Sequence, residues 1–375
     1  MRGSIRRRSR ESWEITIDLG RDAQGKRLRK FVSVVGKRAD ADRRLREVLA
    51  GLDKGVPLDT SRLTLAQYLL RWFDDYVVVN TRPRTAERYM GDIRNHLTPH
   101  LGHLLLTKVS PPDIQAMEAA MLRGDLSPRS VQHAHRVLSE AYRHAIEWGL
   151  AWHNPCAAVR PPRQVRKEIS IPDPGTVLRL LNSSKATPYH AAFHFLAYTG
   201  VRRGEACGLM WSDLDLDAAT ASIRRAAVRV KGQGVVMMPP KTERGERLIA
   251  LDADTVDVLR AHRGAQVIQQ SELGELYESR RFVFANPFGA PLDPYVLTDT
   301  WRHLVSRAGA SGVRLHDLRH FHASMLLRAN THPKVVMERL GHSTISVTLD
   351  TYSHSIPALQ AEAATVFARL MQDAV

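Results

Sequence analysis

The sequence has 375 residues, with 54 lysines and arginines against 39 aspartates and glutamates, and a formal net charge of +15 at pH 7. This length predicts two or three domains, and a hydrophobic content of 43% excludes a mainly disordered chain. The charge indicates a polyanionic partner, with DNA or RNA favoured and an anionic membrane surface second.

Export and membrane insertion are both disfavoured. No apolar run approaches the ~20 residues that a membrane-spanning helix needs, and no apolar segment follows the arginine-rich N-terminus as it would in a secretory signal. The two cysteines, Cys156 and Cys207, lie far apart, which is typical of neither a disulfide framework nor a metal site. We therefore expect a protein of a reducing cytoplasm.

The most basic part of the sequence is residues 1–58. Alternating apolar residues predict strands at 13–17 and 30–35 around a turn at 21–26, and a helix follows at 40–49. Such a small hairpin domain could carry its charge for solubility alone, but arginines clustered against a small sheet favour DNA phosphates. The residues assigned to DNA binding here are Arg6, Arg7, Arg8, Lys26, Arg27 and Arg29.

A helical domain is predicted at 63–160, after a linker at 55–62. Thr64 and Gln67 form a capping box that opens the first helix. Apolar residues at helical spacing predict four helices, at about 64–76, 85–97, 111–122 and 127–148. Their basic residues either form an ordinary solvated face or follow a DNA backbone, and those assigned to DNA are Arg84, Arg88, Arg129 and Arg136.

The last domain is predicted at 170–375, after an extended and weakly packed linker at 154–166 that is rich in proline and arginine. Its pattern begins with three helices, at 175–181, 189–198 and 203–209. Strands at 214–230, 235–238 and 247–249 then form one small antiparallel sheet, and helices follow to the end.

Short stretches of this last domain carry reactive side chains in a recurring order. They are Thr199-Gly200-Val201-Arg202-Arg203-Gly204-Glu205, Pro240-Lys241-Thr242-Glu243-Arg244, His316-Asp317-Leu318-Arg319-His320, Leu340-Gly341-His342-Ser343 and Tyr352-Ser353-His354. This order is similar to the motifs of the tyrosine recombinase, or phage integrase, family. A lone His-x-x-Arg would carry almost no weight, but the whole series is specific.

The resemblance implies a domain organisation as well. Residues 63–160 resemble the core-binding domain of the family, and residues 1–58 resemble the arm-binding domain of lambda-type integrases. The expected fold is therefore multidomain and mainly α: a small β-rich N-terminal domain, a four-helix core-binding domain, and a mixed α+β catalytic domain with a small antiparallel sheet.

The chemistry of these residues suits transesterification of a phosphodiester. Tyr352, whose ordinary pKa is ~10, is the expected nucleophile and needs help to lose its proton. Arg202 and Arg319 can clamp the phosphate oxygens bidentately. The resemblance makes Lys241 the general acid for the leaving 5′-oxygen. His316 and His342 are expected to act as hydrogen-bond donors or proton carriers. Glu205 would hold Arg202 or His316 in place.

The expected product is a 3′-phosphotyrosyl link that conserves the energy of the phosphodiester. Resealing then needs no ATP, and neither a metal nor another cofactor is expected, because arginine and lysine take the role of a Lewis acid. Competing readings stay open for single residues. Arg202 could simply pair with Glu205, Lys231 could replace Lys241 as the acid, and Tyr352 could be a core residue.

A zinc site is a further reading of the histidines, since His316 and His320 are four residues apart. The absence of a His-Glu-x-x-His motif and of a supporting cysteine pair disfavours it. The histidines concerned are His316, His320, His322, His332 and His342.

We therefore predict an integrase that inserts and excises a phage or other mobile element in the cytoplasm of a bacterial host, at its nucleoid. Its expected partners are double-stranded DNA with core and arm sites, three further copies of the chain, and DNA-bending or directionality proteins, but no membrane. An apolar stripe at 358–371 should be exchanged between protomers. The alternatives are a chromosome-dimer resolvase, a type IB topoisomerase and a catalytically silent DNA-binding regulator on the same fold.

Overall fold

The computed structural model describes residues 3–9, 11–21, 27–53, 62–164, 170–240, 245–278, 281–310, 312–342, 344–345, 365–369 and 371–372. The chain forms two compact units, residues 1–166 and residues 167–375. Every helix in the described part of the chain is too short or too polar to cross a lipid bilayer.

A three-stranded antiparallel sheet and one helix begin the first unit. The strands are β1 (Gly3–Arg7), β2 (Ser12–Arg21) and β3 (Arg27–Val35), in the order β1-β2-β3, and the helix is α1 (Arg38–Asp53). Ile15 and Ile17 are fully buried beneath the helix side chains Leu45 and Leu49. The two predicted strands are confirmed, whereas β1 was missed because its arginines mask the alternation around Ile5. Residues 22–26 of the predicted turn lie outside the described residues.

Helices make up the rest of the first unit. They are α2 (Leu65–Trp72), α3 (Val78–Asn80), α4 (Pro83–Asp92), α5 (Thr98–Leu101), α6 (Pro111–Arg123) and α7 (Pro128–Glu147), with π-helical turns at Phe73–Val77 and Ile93–Leu97. The predicted capping box is confirmed: Thr64 Oγ1 accepts from the Gln67 amide at 3.3 Å, and Gln67 Oε1 accepts from the Thr64 amide at 3.1 Å. Such a cap stabilises a helix by about 1 kcal/mol.

The predicted linker at 154–166 is wrong over its first residues. Asn154 accepts from the amide of Cys156 at 3.0 Å and starts a 3₁₀ helix, Pro155–Ala158. Cys156 and Val159 are buried in the same apolar cluster as residues of α2, α4, α5, α6 and α7. Proline and arginine made this stretch look extended, but its apolar residues pack against the helical core. Predicted residues 55–61 of the earlier linker, like 165–169 here, lie outside the described residues.

The second unit combines helices with two small antiparallel sheets. Its helices are α8 (Pro174–Ser184), α9 (His190–Thr199), α10 (Arg203–Cys207), α11 (Ala253–Leu273), α12 (Pro294–Arg307), α13 (Asp317–Arg328) and α14 (Pro333–Leu340). Its strands are β4 (Leu214–Asp215), β5 (Thr220–Ile223), β6 (Ala226–Val230), β7 (Gly234–Met238) and β8 (Arg247–Ala250). The mainly helical fold with small antiparallel sheets is confirmed.

The strands form two sheets rather than the single one predicted. Strands β4, β5 and β8 pair in that order, while β6 and β7 form a separate hairpin. This hairpin packs on α10, where Gly204 and Gly208 allow a close approach: a Cβ at Gly204 would lie 2.8 Å from the carbonyl oxygen of Ala227. The glycines at 204 and 208 therefore admit the neighbouring backbone of β6.

Helix α9 forms the centre of the second unit. Its residues from Ala191 to Ala197 are all buried, and Phe193 and Phe195 pack against Trp301 and Phe284. The helix ends at Gly200, whose φ of +67° is a left-handed conformation. Because α9 is packed against other elements around its circumference, it gives a well-defined backbone position to the residues that follow it, including Arg202.

Candidate active site

Arg202 lies at the N-terminus of α10, two residues after the left-handed Gly200. Its Nη1 donates to Glu205 Oε1 at 2.8 Å, and its Nη2 donates to the carbonyl oxygen of Gly341 at 3.2 Å. The side chain is 44% exposed. The guanidinium is thus oriented by two partners yet accessible to an external anion.

Arg319 lies in the first turn of α13 and is only 3% exposed. Its Nη1 donates to the carbonyl oxygen of Gly200 and its Nη2 to that of Leu340, both at 2.8 Å. The planar fork of a guanidinium spans two carbonyls in this way, which the ammonium of a lysine does not. Arg319 therefore joins the end of α9 to the end of α14.

The C-terminus of α14 collects three arginines on three consecutive carbonyls. The carbonyl oxygen of Arg339 accepts from Arg247 Nε at 2.7 Å, that of Leu340 from Arg319, and that of Gly341 from Arg202. The last carbonyls of a helix have no partner within the helix and carry its negative dipole end, so they attract cations. The helix end is thus the element that brings the two predicted phosphate-binding arginines together.

Glycine is required where α14 ends. Gly341 has a φ of +67°, and the amide of His342 donates to the carbonyl oxygen of Met337 at 3.1 Å, which closes a Schellman motif. A Cβ at Gly341 would lie 2.8 Å from Arg247 Nη1. The glycine between Leu340 and His342 therefore gives the turn its geometry and leaves room for a guanidinium.

Glu205 lies between two arginines and is buried. Its Oε1 accepts from Arg202, while its Oε2 accepts from Arg247 Nη2 and from the Arg202 amide, both at 2.8 Å. Burial alone would raise the pKa of this carboxyl, but the hydrogen bond from Arg247 and the charges of both arginines lower it. Glu205 therefore carries a negative charge near neutral pH and fixes the direction of Arg202.

The predicted histidines lie beside the arginines. The surrounding protein lowers the pKa of His316 to about 4, helped by His320 and Arg319, although part of the side chain is exposed. Burial and the charges of Arg319 and Arg202 lower the pKa of His342 to about 4. Both imidazoles are therefore neutral near pH 7 and able to accept a proton.

Two of the six predicted catalytic residues cannot be placed against these four. Lys241 and Tyr352 lie outside the described residues, as do the rest of the hairpin segment 241–244 and most of the C-terminal stripe. Lys231, the alternative acid, is exposed in the turn between β6 and β7. Among the described residues, no group of three or more histidine, cysteine, aspartate and glutamate side chains is arranged to hold a metal ion.

Sequence reasoning missed Arg247 and Arg339 of this site, and it considered His322 only as a zinc ligand. Arg339 donates to His322 Nε2 at 3.0 Å and to the carbonyl oxygens of Ala250 and Tyr198, and so ties α14 to α13, β8 and α9. The sequence gives no clear signal for Arg247, because the 66% exposed Leu248 beside it is as apolar as the buried Ile249, and alternation alone does not choose between the two faces.

The predicted DNA-binding arginines of the helical region are all exposed, and three of them surround one histidine. Burial lowers the pKa of His133 on α7, and the charges of Arg88, Arg136 and Arg129 lower it further. Arg136 also donates to His133 Nδ1 at 3.2 Å. Arginines of α4 and α7 thus form one concentrated positive patch, together with the exposed Arg84.

In the N-terminal sheet, Arg6, Arg7 and Arg8 are exposed as well. Arg7 lies over the ring of Trp13, 5.7 Å from its centroid, and Arg8 pairs with Glu14 at 3.3 Å. Arg27 and Arg29 belong to β3, while Lys26 lies outside the described residues.

Comparison with known proteins identifies two family models in the chain. The model "Phage integrase family" matches residues 173–358, and the model "Phage integrase, N-terminal SAM-like domain" matches residues 64–121. Together they span well over half of the chain. The first includes the whole arginine cluster, and the second begins at the capping box of α2.

Individual proteins agree with these models. A tyrosine recombinase XerC-like protein from Caldanaerobacter subterraneus subsp. tengcongensis is 26% identical, over 93% of both chains. The Tn1549 transposon integrase, in complex with a circular intermediate DNA, is 20% identical with a TM-score of 0.69, over 81% of this chain and 99% of that one. A lambda integrase tetramer bound to a Holliday junction is 19% identical with a TM-score of 0.58, over 92% and 94%. The chain belongs to the phage integrase family of tyrosine recombinases.

Proposed function

We propose that this protein is a site-specific DNA recombinase that cuts and rejoins DNA through a 3′-phosphotyrosyl intermediate, and so integrates and excises a mobile element. The observation that carries the proposal is the convergence of Arg202 and Arg319 on neighbouring carbonyls of one helix end. Two fixed guanidiniums suit the non-bridging oxygens of a phosphodiester, which gain negative charge in the transition state.

Tyr352 is the proposed nucleophile, because its attack on phosphorus releases the 5′-oxygen and leaves a covalent phosphotyrosine. The phenol proton passes to a nearby base, and the proposed bases are His316 and His342, which are neutral near pH 7 and so have a ring nitrogen free of a proton. Lys241 is the proposed acid that protonates the leaving 5′-oxygen. The link keeps the energy of the original phosphodiester, so a 5′-hydroxyl from another strand can reverse the step.

Double-stranded DNA is the proposed substrate, bound through three domains at 1–58, 63–160 and 170–375. In this proposal the patch of Arg84, Arg88, Arg129 and Arg136 follows the backbone of the core site. The N-terminal basic residues bind separate arm sites. The lambda integrase tetramer on a Holliday junction supports a tetramer that joins two duplexes. DNA-bending or directionality proteins would complete the assembly at the nucleoid of a bacterial host.

Relatives named integrases support the mobile-element role over a chromosome-dimer resolvase. One from Streptomyces ambofaciens matches 94% of this chain, which includes most of the N-terminal basic domain. A type IB topoisomerase is not expected to need that domain. A silent DNA-binding regulator would have no use for the arranged pair of arginines.

A nicked suicide duplex tests the proposal. It carries the core of the element's attachment site, which can be read from direct repeats flanking the gene, and it loses a short fragment after cleavage so that resealing is blocked. A recombinase leaves a protein–DNA adduct that survives denaturing electrophoresis. If the protein only retards the DNA in a native gel, loses this effect at high salt and forms no adduct, it is a DNA-binding protein instead.

A further inference from the structure

Arg247 is a buried arginine that reaches three parts of the site without facing solvent. It is the first residue of β8, and its side chain is 7% exposed. Its Nη2 donates to Glu205 Oε2 at 2.8 Å, its Nε to the carbonyl oxygen of Arg339 at 2.7 Å, and its Nη1 to that of Gly245 at 3.2 Å. Such a guanidinium acts through its protein partners, because little of it can meet DNA.

The bond to Glu205 controls Arg202. Arg247 shares one carboxylate oxygen with the Arg202 amide, while the Arg202 guanidinium bonds to the other. A buried carboxylate that loses one of two cationic partners is destabilised. Without Arg247, Glu205 would keep its bonds to Arg202 but lose its anchor on β8, so the pair of Glu205 and Arg202 would be held less firmly.

The other two bonds fix neighbouring backbone. The Arg339 carbonyl precedes the carbonyls that hold Arg319 and Arg202, so Arg247 anchors the helix end on which both depend. Gly245 packs so closely on Pro240 that a Cβ at this position would clash with the proline ring. Arg247 thus also fixes the backbone at Gly245.

We propose that Arg247 is a positioning residue for DNA strand cleavage, which holds Arg202 and the end of α14 in the geometry that binds the scissile phosphate. This rests on the proposed function, because it takes Arg202 to be a phosphate ligand. The loss of Arg247 should therefore slow cleavage by bound enzyme far more than it weakens DNA binding.

A double-mutant cycle on the full chain tests the coupling. Arg247→Met should lower the rate of adduct formation at saturating suicide duplex by about 100-fold, the effect expected of a misplaced catalytic group. If Arg247 acts through Arg202, the same change in an Arg202→Lys background should cost less than about 5-fold, because coupled residues are not additive. DNA affinity is measured beside each rate by fluorescence anisotropy.

Arg225→Met is the matched control. Arg225 forms a part-buried pair with Asp213 in the same unit and also bonds to the Gly208 carbonyl, at the opposite end of α10 from Arg202. It should lower the thermal unfolding midpoint as Arg247→Met does but leave the cleavage rate of folded protein unchanged. Should Arg247→Met not fold, Arg247→Lys replaces it in the cycle, since lysine keeps the charge but cannot span the three acceptors.

The outcomes separate this proposal from the function on which it rests. The positioning role is overturned if Arg247→Met lowers the rate of adduct formation equally in the wild-type and Arg202→Lys backgrounds, or if Arg247→Met cleaves at the wild-type rate. Neither result would contradict the recombinase function. No adduct from the wild-type protein overturns the recombinase itself, and the positioning role with it. A large loss that nearly vanishes in the Arg202→Lys background supports both.

Discussion

Arg202 and Arg319 donate to consecutive carbonyls, those of Gly341 and Leu340, at 3.2 and 2.8 Å. The two regions bond to each other in both directions, because Arg319 also donates to the carbonyl oxygen of Gly200, two residues before Arg202. Each arginine is thus held by a glycine turn from another motif. The glycine turns and the arginines of these motifs therefore hold one another in place.

Tyr352→Phe should bind the attachment core with wild-type affinity and form no covalent adduct, because the phenol oxygen is the proposed nucleophile. Denaturing electrophoresis with the suicide duplex measures the adduct. Tyr277→Phe is a suitable control, since the buried Tyr277 hydroxyl has no hydrogen-bond partner among the described residues. An adduct formed by Tyr352→Phe at the wild-type level would remove Tyr352 from this role.

Arg319→Lys should lower the rate of adduct formation by roughly 10²–10³-fold, the cost of losing one donor to a developing oxyanion. It should also destabilise the fold by about 1–3 kcal/mol, because the buried carbonyls of Gly200 and Leu340 would no longer both be satisfied. Single-turnover cleavage and urea denaturation measure the two effects. Unchanged stability would contradict the bridging role of Arg319, whatever happens to cleavage.

His322 should make stability depend on pH. Burial and the charge of Arg339 lower its pKa from 6.5 to about 4, and its neutral Nε2 accepts from Arg339. Below pH 6.5 the unfolded chain takes up a proton that the folded protein does not, so this stability is complete above pH 6.5 and is lost as the pH falls toward 4.

His322→Gln tests this, because a glutamine amide can still accept from Arg339 but does not titrate. Urea denaturation at pH 7 and pH 5 should show a smaller loss of stability for the variant than for the wild type. Equal losses, or an imidazole that titrates near 6.5 by NMR, would contradict the low pKa.

Arg136→Gln should weaken binding to the core site and reduce the slope of log K against log salt by about 0.9 for one lost phosphate contact. Arg143→Gln on the same helix is the control, because Arg143 is already neutralised by Glu140 and Glu147. Anisotropy titrations at several salt concentrations give both slopes. Identical slopes for the two variants would identify Arg136 as part of an ordinary solvated surface.

Removal of the residues before Leu58 should spare cleavage of isolated core sites but weaken integration, since arm sites would no longer be bound. Integration between two attachment plasmids is the measurement. The full-length chain with Arg6, Arg7 and Arg8 changed to glutamine should show the same defect, because these exposed side chains can be replaced without removing an apolar core residue of the sheet. Undiminished integration by both proteins would end the arm-binding assignment.

The sequence predicted the elements of this protein well where short-range patterns decide structure. The capping box at Thr64, the buried helix α9 and the strands β2 and β3 all follow from spacing within a few residues. It did not predict β1, where arginines mask the alternation of apolar and polar residues. It was wrong at residues 154–159, where apolar side chains pack against helices that are distant in sequence. It also merged two sheets into one, because pairing partners of strands are not encoded locally.

The sequence by itself determined which residues have the chemistry for phosphodiester transesterification and in which order they occur, since side-chain type and motif spacing are local properties. Only the tertiary structure decided that three arginines share the last carbonyls of α14, and that Arg247 joins this group. The physical reason is that the unsatisfied end of a helix attracts whichever cations the fold brings to it, and those cations come from distant parts of the chain.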